Sequence, residues 1–153
     1  MRNLNEIECF VKAVELKSLT AAGNALKLPK SNINNTLWCG YAIEYPERLV
    51  YFAGDTAFGS HFAQIRDKVG SPELALLPIG AYEPRWFMSP VHMAPDEAVR
   101  AHQILAAKTS IAIHHGTFQL ADEGLDTPKK RLSECAPGDS FLVLDNGQFA
   151  DIP

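Results

Sequence analysis

By residue type and context, Asp55 and His114 are the positions in this chain best suited to chemistry. Each follows an apolar run: Tyr51-Phe52-Ala53-Gly54 leads into Asp55, and Ile111-Ala112-Ile113 leads into His114. A carboxylate and an imidazole are both zinc ligands. A carboxylate can also bridge two ions about 3.5 to 4 Å apart, so that a water between them becomes a nucleophile near neutral pH. Spacing alone leaves a second reading open at each position. A strand-end Asp also forms turns or caps helices, and a strand-end His also serves as a satisfied structural residue.

The elements that must position these two residues follow a strand and helix alternation from Leu37 onward. Trp38 to Tyr45 reads as a strand, Pro46-Glu47 as a turn and Arg48 to Ala53 as a second strand, which together suit a hairpin. Ser60 is placed to cap a helix whose Phe62, Ile65 and Val69 share a face, with Gly70 as its terminator. Leu74 to Leu77 is a short buried strand ended by Pro78. Pro95 opens a helix that runs to Lys108, with Asp96 and Glu97 favourably set against its dipole. Thr109 to Ile113 is the strand that delivers His114. Ser140 to Leu144 is the last core strand, and Asp145-Asn146-Gly147 predicts a hairpin into Gln148 to Ile152.

The remaining conspicuous residues have plainer readings. His102 lies on the apolar side of its helix and reads as a core or rim histidine, and His115 as a packed residue. Trp86, Phe87 and Met88 suit either an acyl pocket or ordinary packing. Lys129-Lys130-Arg131 reads as a solvated loop run. The three cysteines, Cys9, Cys39 and Cys135, are far apart and form no C-x-x-C pair, which argues against a disulfide framework or a Cys-rich zinc site.

Composition fits a globular chain: 153 residues, 46% hydrophobic and 21% charged, with a net charge of −4. No run approaches the roughly 18 apolar residues of a membrane span, and polar residues stand where a signal peptide needs an apolar core, so the expected location is cytoplasmic. Charge divides unevenly, +2 over residues 1–36 against −6 over the remainder. An acidic body repels phosphate backbones, which confines any DNA contact to the N-terminal segment.

In that segment Leu4, Ile7, Phe10, Val11 and Val14 recur at helical spacing. Ser18 or Thr20 can cap a second helix through Ala21, Ala22, Ala25 and Leu26, and Pro29 ends it. The run from Met1 through Phe10-Val11-Lys12-Ala13-Val14-Glu15-Leu16-Lys17-Ser18-Leu19-Thr20-Ala21-Ala22 to Leu28-Pro29-Lys30-Ser31 resembles the start of LysR-type transcriptional regulators. The resemblance stops at Asn34-Asn35-Thr36, inside the expected recognition helix. It implies a truncated helix-turn-helix-like segment, residues 1–36, with no DNA-binding residues of its own.

A second resemblance covers about 110 residues. Tyr51-Phe52-Ala53-Gly54-Asp55-Thr56, Leu74 to Pro78, the run Gly80-Ala81-Tyr82-Glu83-Pro84-Arg85-Trp86-Phe87-Met88, His92, Pro95-Asp96-Glu97-Ala98 and His114-His115-Gly116-Thr117-Phe118 resemble the C-terminal half of metallo-β-lactamase-fold hydrolases. The nearest branch holds the N-acylphosphatidylethanolamine phospholipases D and the ascorbate-phosphate lactonases. The resemblance implies an α/β fold, half of an αββα sandwich over residues 37–153, with one mixed, mostly antiparallel sheet carrying helices on one face. An α-helical hairpin would precede it. It further implies zinc, with Asp55 bridging two ions and His114 the last histidine ligand. His92 would lie beside the substrate, as a catalytic residue with Asp55, rather than on the metal, and Tyr82, Glu83, Arg85 and Trp86 would line the pocket. The family's His-x-His-x-Asp-His loop is absent from the five histidines of this chain.

The function expected from this is metal-assisted hydrolysis of an ester, phosphodiester or lactone, on a small-molecule or lipid-like ester, with little activity from an incomplete site. Two other classes stand beside it. One is a LysR-type DNA-binding regulator fragment, and the other a non-catalytic homodimer packed sheet to sheet.

Overall fold

The structure is a computed structural model that describes residues 39–45, 48–135 and 138–152. The segment 1–36, and with it the expected helical hairpin, lies outside the described residues. The described part forms one unit built on a five-stranded sheet in the order β1 (Tyr41–Tyr45), β2 (Arg48–Phe52), β3 (Leu74–Pro78), β4 (Thr109–Ile113) and β5 (Phe141–Leu142). Between the strands come α1 (His61–Val69), the short α2 (Arg85–Met88), α3 (Pro95–Leu105) and α4 (Thr127–Cys135), then a 3-10 turn at Gly138–Ser140.

The sheet is mixed, as expected, but it is not mostly antiparallel. Only β1 and β2 pair antiparallel, while β2 with β3, β3 with β4 and β4 with β5 are parallel. The reason is the connections. Only two residues separate β1 from β2, too few for anything but an antiparallel return, whereas helical crossovers after β2, β3 and β4 bring the chain back to the starting end of the sheet.

Register explains which side chains reach the core. Tyr51, Ala75 and Ser110 are aligned across β2, β3 and β4, and Leu77 faces Ala112. All five are buried, and four of them join Phe62 of α1, Ala98, Ala101 and Leu105 of α3 and Leu132 of α4 in one cluster. Burying a side chain the size of Phe62 or Leu132 stabilises the fold by about 1.5 to 3 kcal/mol. The alternate residues Ile43, Val50, Phe52, Leu76, Ile111 and Ile113 form the opposite sheet face. Apolar at these six positions, this face is only partly buried there, with Ile43 at 46% exposure. Helices therefore pack on one face of the sheet, in agreement with the expected half-sandwich.

Four local expectations are corrected. Ser60 stands at the N-cap of α1 but its hydroxyl makes no cap bond. The helix from Pro95 ends at Leu105, because Ala106 turns left-handed (φ 50°) and its N–H bonds back to Gln103 and His102. The basic run Lys129-Lys130-Arg131 is not loop but the middle of α4, anchored by buried Pro128 and Leu132. At the C-terminus the Asp145–Gln148 turn closes through a 2.9 Å backbone bond, yet Gln148 to Ile152 pair with no strand and Phe149 is 85% exposed. With so little apolar surface to bury there, the returning strand has no face to dock on. Among the described residues no helix is long and apolar enough to cross a membrane.

Candidate metal centre

The candidate site lies at the carboxyl ends of the parallel strands, where open α/β sheets commonly place ligands. After β2, Gly54 takes a left-handed turn (φ 73°) that a side chain would disfavour, and this swings Asp55 off the strand line. After β4, His114 itself is left-handed (φ 57°), which directs its ring away from the ladder. Between α2 and α3, His92 is carried by a backbone bond from its own N–H to Met88 O at 2.8 Å. The next residue ties this stretch to the Asp55 loop, since Met93 N–H donates to Thr56 O at 3.2 Å.

Three donor atoms thus converge from three separate connections. His92 Nδ1 lies 3.0 Å from Asp55 Oδ1, and His114 Nε2 lies 3.7 Å from Asp55 Oδ2. The two imidazoles face each other with ring centroids 5.3 Å apart, and one donor atom from each of the three residues falls within a 4.8 Å cluster. Zinc bonds of 2.0 to 2.1 Å in tetrahedral geometry put neighbouring donors about 3.3 Å apart, so these separations bracket what a shared ion needs.

Hydrogen bonding supports the same fit. His92 Nδ1 is buried and, despite its closeness to the carboxylate, makes no properly directed hydrogen bond. Donors that converge on a common point, instead of aiming at one another, are the expected pattern of ligands around an ion. Burial lowers the pKa of His92 below its ordinary value, an effect that outweighs the opposing pull of Asp55. The neutral imidazole required of a ligand is favoured accordingly. Asp55 offers one oxygen to each imidazole, the posture of a carboxylate shared between positions.

The expected pocket residues separate. Tyr82 is buried; its backbone N–H and that of Glu83 each donate, at 3.0 Å, to the Glu123 carboxylate. Glu83 turns its own carboxylate to the Arg85 N–H at 3.0 Å. Arg85 points into the protein, onto the carbonyls of Tyr82 and His92 and the carboxylate of Glu97. Trp86 stands out in solvent at 83% exposure, its ring tilted against that of Phe87 at 5.7 Å between centroids. Beside His114 a cleft of about 210 Å³ is lined by Gly80, Ala81, His115, Phe118, Leu120 and Leu125. His102 is the core histidine expected, with Nδ1 2.8 Å from the buried Ser110 hydroxyl.

Two residues of this region were not among the expected site residues. Glu97 carried a signal, since it stands three residues after the helix-capping position Ala94 and its carboxylate accepts the Ala94 N–H at 2.8 Å. Glu123 carried none, because it reaches Tyr82 and Glu83 from forty residues away in the chain.

Residues 4–115 match the family model described as a beta-lactamase superfamily domain. The chain belongs to the β-lactamase superfamily. The superfamily match begins inside segment 1–36 and lends no support to a regulator-like start. Within the superfamily, the chain is 41% identical over 127 residues to N-acyl-phosphatidylethanolamine-hydrolyzing phospholipase D 1 of Caenorhabditis elegans, covering 78% of this chain and 36% of that protein. It is 30% identical over 109 residues to a UPF0173 metal-dependent hydrolase of Methanopyrus kandleri, covering 71% of this chain and 44% of that one. The isothiocyanate hydrolase from Delia radicum gut bacteria has a similar fold, with a TM-score of 0.61 at 20% identity, over 80% of this chain and 48% of that one. The chain spans less than half the length of these relatives. Metallo-β-lactamase fold and metal-dependent hydrolase kinship are thereby shown for the superfamily domain.

Proposed function

We propose that this chain contributes Asp55, His92 and His114 to a metal centre, zinc by its donor chemistry, that serves hydrolysis of a phosphodiester or ester in a lipid-like substrate. The convergence of these three donors, with the buried His92 Nδ1 otherwise unbonded, is the observation that carries the proposal. Two imidazoles and a carboxylate form the three-ligand set of hydrolytic zinc sites, in which further coordination positions stay open. Bound there, a divalent cation would supply Lewis acidity toward a phosphoryl or carbonyl oxygen. Asp55 would balance its charge, His92 and His114 would hold it through their ring nitrogens, and the adjoining cleft at Phe118, Leu120 and Leu125 offers apolar surface to a substrate chain.

The C. elegans relative hydrolyses N-acyl-phosphatidylethanolamine by its name, which favours a glycerophospholipid-like phosphodiester. Three ligands without the family's histidine loop hold an ion weakly and support slow turnover from this chain alone. Metal content after dialysis against zinc, together with release of phosphatidic acid from an N-acylated phosphatidylethanolamine, tests both parts. Zinc uptake by the wild type no greater than that of a chain carrying Asp55→Asn, His92→Ala and His114→Ala together would remove the metal centre.

A further inference from the structure

His92 belongs to no strand or helix, so something other than a backbone ladder must hold its ring beside Asp55. The stretch Ser89–Ala94 joins α2 to α3, and its backbone groups are gripped one after another by side chains and loops. The Arg85 guanidinium donates through Nη1 to Tyr82 O at 3.3 Å and to His92 O at 3.2 Å. Through Nη2 it donates to Glu97 Oε2 at 2.7 Å, and that same oxygen accepts the Ala94 N–H at 2.8 Å. The backbone at His92 is therefore held at two points by a single ion pair: Arg85 holds its carbonyl, and Glu97 holds the amide two residues on. Both side chains are partly shielded, at 31% and 21% exposure, and neither touches the three donor atoms.

We infer that Arg85 and Glu97 are a positioning pair for His92, fixing its imidazole against Asp55 for metal binding; this rests on the metal-holding role proposed above. The planar fork of an arginine can bond two carbonyls and a carboxylate at once, which a lysine ammonium on a flexible stem cannot reproduce. Partners that orient a ligand in this way are commonly worth about 10- to 100-fold in metal affinity. The inference separates Arg85 from a pocket-lining role, because a residue that only contacts substrate leaves affinity for the ion unchanged.

The test titrates the full chain with Co²⁺ in the absence of substrate and records both affinity and the visible absorption of the bound ion, which reports ligand number and geometry. Glu97→Gln and Arg85→Lys are each expected to weaken binding about 10- to 100-fold and to give the spectrum of His92→Ala. Leu132→Ala, a core change in α4, which supplies neither a donor nor a member of the pair, is expected to lower thermal stability while keeping the wild-type spectrum. Wild-type affinity and spectrum in both pair variants would overturn the inference, as would the same spectral change in Leu132→Ala. If Glu97→Gln does not fold, Arg85→Lys decides on the same readouts. Should the wild-type chain take up no Co²⁺, the metal reading falls, and nuclear Overhauser effects between the His92 ring and the Asp55 β-protons decide the positioning role. Their disappearance in the pair variants supports that role, and their persistence overturns it.

Discussion

Gly80 and His114 meet so closely that a Cβ placed on Gly80 would lie 2.1 Å from the His114 carbonyl oxygen. Gly80 follows β3 and His114 follows β4, so this contact sets how near the two strand ends can come at the candidate centre. Backbone has nowhere to yield here, unlike the tip of a flexible side chain. Gly80→Ala is expected to push His114 away from Asp55, costing about 1 to 3 kcal/mol as overpacking does. Urea unfolding reads the stability, and zinc affinity should fall with it. A Gly80→Ala protein with unaltered zinc affinity would contradict the link between this contact and the site.

The three-donor centre makes a direct demand on ligand removal. At zinc concentrations about 100 times Kd, binding to the folded chain alone adds about 2.7 kcal/mol of stability, and chelation by EDTA returns the protein to its metal-free value. His92→Ala, His114→Ala and Asp55→Asn should each shrink this increment, since each removes one of the converging atoms. Thermal unfolding with and without zinc measures it. An undiminished increment in His92→Ala would show that His92 is not among the ligands.

Acid should destabilise the fold through its buried histidines. Burial holds His102 below its ordinary value of 6.5, and the same cause lowers His61 and His115. The unfolded chain then takes up protons first as pH falls. Stability contributed by the neutral imidazole is full above about pH 6.5 and is lost as pH drops from there through the lower folded value. His102→Asn keeps an atom able to bond the Ser110 hydroxyl and does not titrate in this range, so its stability should change less between about pH 7.5 and about pH 5.5. Urea midpoints at the two values compare the slopes, and equal slopes would mean that His102 is not a source of the acid sensitivity.

Helix α4 is joined to the core chiefly by Leu132, which is completely buried. Leu132→Ala should cost about 2 to 5 kcal/mol by removing apolar packing and leaving a cavity. The loss is expected without change in the Asp55, His92 and His114 arrangement, since α4 contributes no donor. Differential calorimetry and zinc titration on the same sample check the two halves of this expectation.

Sequence periodicity was enough to locate the strands that carry chemistry. The Thr109–Ile113 run emerges as β4 with the same bounds, and β2 and β3 each end within one residue of the expected place. The apolar spacing of Phe62 and Ile65 likewise marked α1. Helix α4 escaped because only Pro128 and Leu132 of its nine residues are buried, too few to make a period visible among charges. Parallel pairing escaped because strand direction depends on the connections, not on the residues within a strand.

By itself the sequence determined that Asp55 and His114 would stand just past two apolar strands, because alternating burial and a following Gly or polar residue fix where a strand must stop. Only the tertiary structure decided that His92 would turn a ring nitrogen onto the Asp55 carboxylate. Its place between α2 and α3 has no local pattern to read, and is set by Arg85 and Glu97 gripping its backbone and by Met93 bonding to Thr56. Such bonds between side chains and distant backbone carry no periodicity, so they become visible only when the chain is folded.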